Sequence, residues 1–225
     1  MSCVSVWIQV GIVMEFWHNR WLTDQTGWHK SSFNELLVKH WPQINAPAHC
    51  NVLVPLCGKS LDMLWLAEQG HTVSGMEMVQ QAVEQFFDEN QFESTHQEHE
   101  THVVHTSGPF TLYNGNMFDL EPGQIQADAW YDRAAMIAIE PSLRQAYVEQ
   151  LRNQTRPGAV GLLITFAYPQ EQMQGPPFAL HDQHVVDLFS VGFQVERLEQ
   201  IELEDEKERG LSRLTSSVFK IIRIE

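Results

Sequence analysis

Short apolar runs alternate with amphipathic segments along this chain, and their two periods separate strands from helices. Val52 to Val54 is short and wholly apolar, as a strand buried on both faces should be, and it ends at the turn Pro55-Leu56-Cys57-Gly58. From Ser60, the residues Leu61, Leu64, Trp65 and Ala67 recur at helical spacing, and Gly70 stands where a helix stop is expected. His71 to Met76 reads as a second strand, closed by Glu77, and Ala82, Val83, Phe86 and Phe87 mark the next helix. Upstream, an amphipathic helix runs from Ser31 to Trp41 with Pro42 as its stop. Downstream, Phe110 to Tyr113, Ala129 to Tyr131 and Val160 to Phe166 read as strands, with a helix from Ser142 to Asn153 between the last two. Phe193 to Leu203 and Ser217 to Ile224 alternate apolar and polar residues, which predicts an antiparallel pair at one side of the sheet. The β–α–β–α succession implies an α/β fold, a largely parallel sheet with helices on both faces.

Composition narrows the partners. With 225 residues and 43% apolar residues the chain can bury a sizeable core, and residues 14–225 read as one domain. A net charge of −15 opposes binding to a nucleic-acid backbone or an anionic membrane, and leaves a small molecule as the expected ligand. Cys3, Cys50 and Cys57 form neither a disulfide framework nor a zinc arrangement, which points to a reducing cytoplasm. The apolar segment MSCVSVWIQVGIV has no basic start and is too short to span a bilayer, so residues 1–13 read as an upstream extension.

The candidate chemistry clusters at the ends of the first strands. Gly58-Lys59-Ser60 looks like the end of a phosphate-binding loop, but the glycine that such a loop needs earlier is replaced by Leu53, inside the strand. An acid about 20 residues beyond a glycine turn is instead placed to accept hydrogen bonds from ribose hydroxyls. Gly58 and Glu77 have that relation, so the expected ligand is an adenosine-type molecule and Lys59 need not touch phosphate. A dinucleotide oxidoreductase is disfavoured, because the turn lacks the further glycines that let a pyrophosphate approach a helix. Trp17, Trp21 and Trp28 precede the first strand, where a core would not need them, and Asp132-Arg133 follows the fourth. The histidines His96, His99, His102 and His105 recur every third residue in a polar stretch that reads as a solvated loop, with no metal expected there. Cys57 reads as a small buried thiol and not a nucleophile.

FWHNRW, GWH, VLVPLCGKSLDMLWLAEQGHTVSGME, YDRAAMIAI and GPPF, in this order from about Met14 almost to the C-terminus, resemble the thiopurine S-methyltransferase family, its bacterial branch above all. That resemblance implies a doubly wound Rossmann-like methyltransferase fold, with a mostly parallel seven-stranded sheet and an antiparallel strand near the C-terminus. It implies S-adenosyl-L-methionine as cofactor, S-adenosyl-L-homocysteine as product, and a thiol as substrate, with selenium or tellurium compounds as further acceptors. No metal and no dedicated base are required if the substrate ionises easily. It implies that Trp17 and Trp21 pack against the sulfonium part, that Leu56, Gly58 and Glu77 contact the cofactor, and that Met78, Asn116 and Met117 lie along the adenine. Where relatives commonly have Asp or Ser, this chain has Asn116, whose carbonyl can still accept. Arg133 is expected to reach both cofactor and substrate, Trp28 to stack on a flat purine, Arg209 to lie near the substrate, and GPPF to form a stiff loop over the site. A monomer is expected.

Overall fold

The computed structural model describes residues 15–205 and 209–225. Residues 1–13, read above as an upstream extension, lie outside the described residues. Residues 15–22 are helical, α1. Next comes α2, Glu35–Ile44, capped by Asn34, whose side chain accepts from the N–H groups of Leu36 and Leu37. Pro42 does not stop this helix. The missing N–H falls one turn after Val38, on the exposed side, while Trp41 and Ile44 are buried and hold the last turn. Asn45, at φ 57°, closes the helix instead.

The α/β core follows: β1 (Asn51–Pro55), α3 (Asp62–Glu68), β2 (Thr72–Glu77) and α4 (Gln80–Glu89). Then come β3 (Thr95–Glu98), β4 (His102–Ser107), β5 (Phe110–Gly115), β6 (Ala127–Asp132), α5 (Ala135–Ala138), α6 (Arg144–Gln154) and β7 (Thr155–Ile164). The chain ends with α7 (Asp182–Leu188), β8 (Phe193–Glu202) and β9 (Thr215–Arg223). One sheet contains all nine strands, in the order β3-β4-β5-β2-β1-β6-β7-β9-β8. The central pairs β5–β2, β2–β1, β1–β6 and β6–β7 are parallel. At the far side β9 runs antiparallel to both β7 and β8, as the alternating C-terminal pattern predicts.

The expected seven strands become nine because the histidine-rich stretch is not a loop. It folds into the hairpin β3–β4, and β4 adds antiparallel to β5. Charged and polar residues on β3 gave no apolar alternation, and all four of its residues are exposed. Backbone pairing at a sheet edge does not need a buried face.

Both faces of the central strands are covered, and the sequence alternates between them. Val52 and Val54 pack into one core with Ala129, Tyr131, Leu162 and Ile164, while Leu53 packs into the other with Trp130 and Leu163. Trp130 is wholly buried, and it fits only because its cross-strand neighbour is Gly161. A Cβ on Gly161 would come within 1.9 Å of the Trp130 ring. We therefore expect Gly161→Ala to destabilise the fold by about 1–3 kcal/mol, the usual cost of overpacking. Urea unfolding of the variant beside the wild type measures it.

Candidate active site

Strand order reverses between β1 and β6, and in such sheets ligands sit outside the carboxyl ends of the strands at that point. Four strand ends meet there: the turn after β1, Glu77 at the end of β2, Gly115-Asn116 after β5, and Asp132-Arg133 at β6.

The turn after β1 is unusual backbone. Leu56 has φ 46° and Gly58 φ 53°, the left-handed region that a side-chain-bearing residue enters only under constraint. The constraint is Glu77. Its Oε2 accepts the Gly58 N–H at 2.9 Å and its Oε1 accepts the Val79 N–H at 2.9 Å, so one carboxylate ties the β1 turn to the end of β2. Glu77 is 6% exposed. Burial pushes its carboxyl above the usual carboxylate range, while the N–H groups of Val79, Gly58 and Met78 pull it back. These N–H groups do not fill all of the roughly four lone-pair sites of the carboxylate.

A cleft with about 510 Å³ of empty space opens beside this turn, lined by Trp17, Leu56, Met76, Met78, Gly115, Asn116, Met117, Phe118, Ile139, Glu140 and Leu143. The lining is mainly apolar and rich in methionine, and suits a flat heterocycle. Asn116 caps the 3₁₀ turn Met117–Asp119: its Oδ1 accepts from the Phe118 N–H at 3.2 Å and its Nδ2 donates to Asp119 Oδ2 at 3.2 Å. Its amide oxygen already has one partner.

The tryptophans form their own cluster over Met78 and Val79. Trp28 meets Trp17 at 5.1 Å and Trp21 at 6.1 Å, both edge to face. Trp17 lines the cleft, but Trp21 is only 4% exposed and does not. Trp21 packs with Val79 and Ala82 beneath Trp17, Trp28 and Met78. A Cβ on Gly58 would stand 3.2 Å from the Trp21 ring, so that glycine leaves room for the indole.

Arg133 does not pair with its neighbour Asp132. Asp132 points inward, accepts from the N–H groups of Ala135 and Met136 and from Tyr147 Oη at 2.6 Å, and so starts α5. Burial raises its carboxyl to about 6 against those hydrogen bonds. Arg133 Nε instead lies 3.3 Å from Asp62 Oδ2, and its Nη2 donates to the Trp28 carbonyl at 3.4 Å. Asp62, 2% exposed, also accepts the Asn34 N–H at 2.8 Å and Tyr131 Oη at 2.9 Å. His29 is half-buried near this group, and its ring is held below its usual value by burial first and by the Lys59 and Arg133 cations next. Lys59 itself is ion-paired to Glu89 at 2.6 Å.

Other expected residues divide. Leu56, Met78, Asn116, Met117 and Trp17 share the cleft, with Gly58 and Glu77 directly behind it, and Trp28 and Arg133 stand together. Arg209 does not line the cleft; its guanidinium lies 5.5 Å over the Phe166 ring, with Nη1 buried and unpartnered among the described residues. Cys57 is buried, its thiol pushed well up by burial and by Glu77, as an inert thiol should be. The GPPF loop is fastened from below: buried Arg144 donates to the carbonyls of Met136, Phe178 and Ala179, and Phe178 N–H donates to the Ile137 carbonyl at 2.7 Å. Asp62, Tyr131 and Arg144 were missed by sequence reasoning. Asp62 lies within PLCGKSLDM, but nothing local tells that its partners come from the cap of α2 and the end of β6.

A sheet of this order with a cleft at its reversal point defines a class, the Rossmann-like fold of S-adenosylmethionine-dependent methyltransferases. Among solved structures, a Burkholderia thailandensis 1,6-didemethyltoxoflavin-N1-methyltransferase with bound S-adenosylhomocysteine superposes with TM-score 0.68 at 13% identity, covering 96% of this chain and 89% of that one. An N-methyltransferase from Bradyrhizobium japonicum, also with S-adenosylhomocysteine, gives TM-score 0.60 at 8% identity over 85% and 89%. The sequence goes further: it matches the family model "Thiopurine S-methyltransferase (TPMT)" over residues 12–223, and the chain belongs to that family. Proteins named thiopurine S-methyltransferase from Shewanella pealeana and Pseudomonas fluorescens are 44% and 40% identical to it, each over 92% of this chain and 97% of the relative.

Replacing Asp62 by Ala leaves Arg133 and Tyr131 without their shared buried acceptor. We expect a loss of about 3 kcal/mol, the low end for breaking a buried pair, because Arg133 keeps some contact with solvent. Chemical unfolding of Asp62→Ala measures it.

Proposed function

We propose that this chain transfers the methyl group of S-adenosylmethionine to the sulfur of thiopurines and of other aromatic or heterocyclic thiols, with selenium or tellurium compounds as further acceptors. The names of its relatives support the thiopurine reading. The observation that carries the mechanism is Arg133, held by Asp62 beside Trp28 at the carboxyl end of β6. A fixed guanidinium favours a thiolate over a thiol, and an aromatic neighbour stacks on a flat ring. Arg209, with its unpartnered Nη1, is proposed as a second cationic contact for the substrate.

The cleft suits the cofactor: an apolar, methionine-rich slot for an adenine, spare acceptor sites on Glu77 for ribose hydroxyls, and an aromatic face on Trp17 for a cation. Bound there, S-adenosylmethionine supplies a methyl group already activated by its sulfonium charge. The protein then has to align a sulfur and exclude water. Asp62 orients Arg133, Arg133 holds the acceptor ionised, and the tryptophan cluster keeps the surroundings poorly hydrated. No side chain is asked to take a proton from a substrate that ionises easily. Among the described residues no helix is long and apolar enough to cross a membrane. We take the protein to act as a monomer in the cytoplasm on small molecules, a reading supported by its acidic charge.

Calorimetric titration with S-adenosylhomocysteine, followed by a 6-mercaptopurine methylation assay, tests the whole reading: binding with turnover is expected, and absence of binding removes it. Glu77→Ala should weaken S-adenosylhomocysteine binding by roughly 1–3 kcal/mol, the cost of leaving ribose hydroxyls without a charged acceptor. Arg133→Ala should slow methyl transfer more than it weakens cofactor binding; equal losses would make Arg133 a cofactor ligand only.

A further inference from the structure

The histidine stretch is palindromic about a tight turn. His99 N–H donates to the His102 carbonyl at 2.9 Å across Glu100-Thr101, and the register sets His96 opposite His105. Spacing by three around a two-residue turn therefore makes two cross-strand pairs. Side chains alternate along a strand, so His96 and His105 share one face of the hairpin, and His99 and His102 the other.

The two pairs are chemically unlike. His102 is engaged at both ring nitrogens, Nδ1 3.0 Å from Thr101 Oγ1 and Nε2 2.8 Å from Gln124 Nε2. Its ring lies stacked on that of His99 at 4.8 Å and 8°, which aims their in-plane lone pairs side by side and not at one point. His96 and His105 stand with ring centroids 5.9 Å apart and planes tilted by 36°, and neither ring has a hydrogen bond among the described residues. Two imidazoles on one ion, each bound at ~2.0–2.1 Å, have ring centres about 5 Å apart, which a small rotation of the exposed His96 reaches.

We propose that His96 and His105 form a bidentate site for a borderline divalent transition-metal ion of the zinc, nickel or copper kind. Imidazole nitrogen suits these ions and not calcium or magnesium, and water completes the coordination. His105 rests on Phe87, and burial with the neighbouring His96 holds its ring below the usual histidine value, against an opposite pull from Glu84 of α4. An unprotonated imidazole there offers a lone pair. A net charge of −15 attracts cations to the surface. The ion would clamp the hairpin, whose β4 holds β5; His102 packs against Gly115, which lines the cleft.

The test is a Zn²⁺ titration of the full, chelator-stripped chain at about pH 7.5, followed by calorimetry and by ¹⁵N shifts of the histidine rings. One ion is expected to bind, shifting the His96 and His105 signals and raising the thermal midpoint. His96→Ala and His105→Ala should each lower the affinity at least about ten-fold, while His99→Ala, on the other face, keeps it. His96 and His99 are exposed, so their variants should fold as the wild type does, and circular dichroism verifies it. The proposal falls if no Zn²⁺ binds up to ~1 mM, if His96→Ala binds as well as wild type, or if His99→Ala loses as much as His96→Ala.

Discussion

A buried carboxylate cannot stay charged without partners, and Asp62 meets that requirement by drawing two distant pieces of chain to one point. It accepts from the Asn34 backbone ahead of α2, from Tyr131 on β6, and from Arg133 just beyond β6. The consequence reaches through the site. The cap of α2, the start of α3, the end of β6 and the guanidinium beside Trp28 are fixed relative to one another by a single side chain. Glu77 does the same for the neighbouring turn, holding Gly58 and Val79 by their N–H groups. The two acids stand at the ends of adjacent elements, so the mouth of the sheet is organised from behind by buried anions while its lining stays apolar.

On the function proposed above, this arrangement lets a chain of net charge −15 offer an anionic acceptor a place to bind. The surface charge is remote and screened, whereas Arg133 acts at short range where water is scarce. Its positive charge is oriented by Asp62, and a second cation, Arg209, stands over Phe166 near the far side of the sheet. A reaction in which a sulfonium and a thiolate lose their charges together is favoured in such surroundings, because little solvation has to be rebuilt.

Much of the fold was legible along the chain. The all-apolar Val52–Val54, the glycine turn after it and the helical spacing of Leu61, Leu64 and Trp65 are local properties, and they recur as β1, its turn and α3. Gly58 and Glu77 were legible for the same reason: one βαβ unit sets their separation, and the structure joins them at 2.9 Å. Two local rules failed. Pro42 lies within α2 because buried Trp41 and Ile44 outweigh one lost hydrogen bond. The histidine stretch became a hairpin because an open sheet edge offered backbone partners that no side-chain pattern announces.

What the sequence determined by itself was the set of elements, their βα order and the residue types gathered at the ends of β1, β2 and β6. Tertiary structure alone decided which of those residues meet. Arg133 turned from adjacent Asp132 to Asp62, Trp21 went into a small core instead of the cleft, and His105 found His96 across a strand. The physical reason is common to all three. Local propensity depends on neighbours within a few residues, but a buried charge, a large ring or a cross-strand pair takes its partner from whatever the order of strands brings alongside.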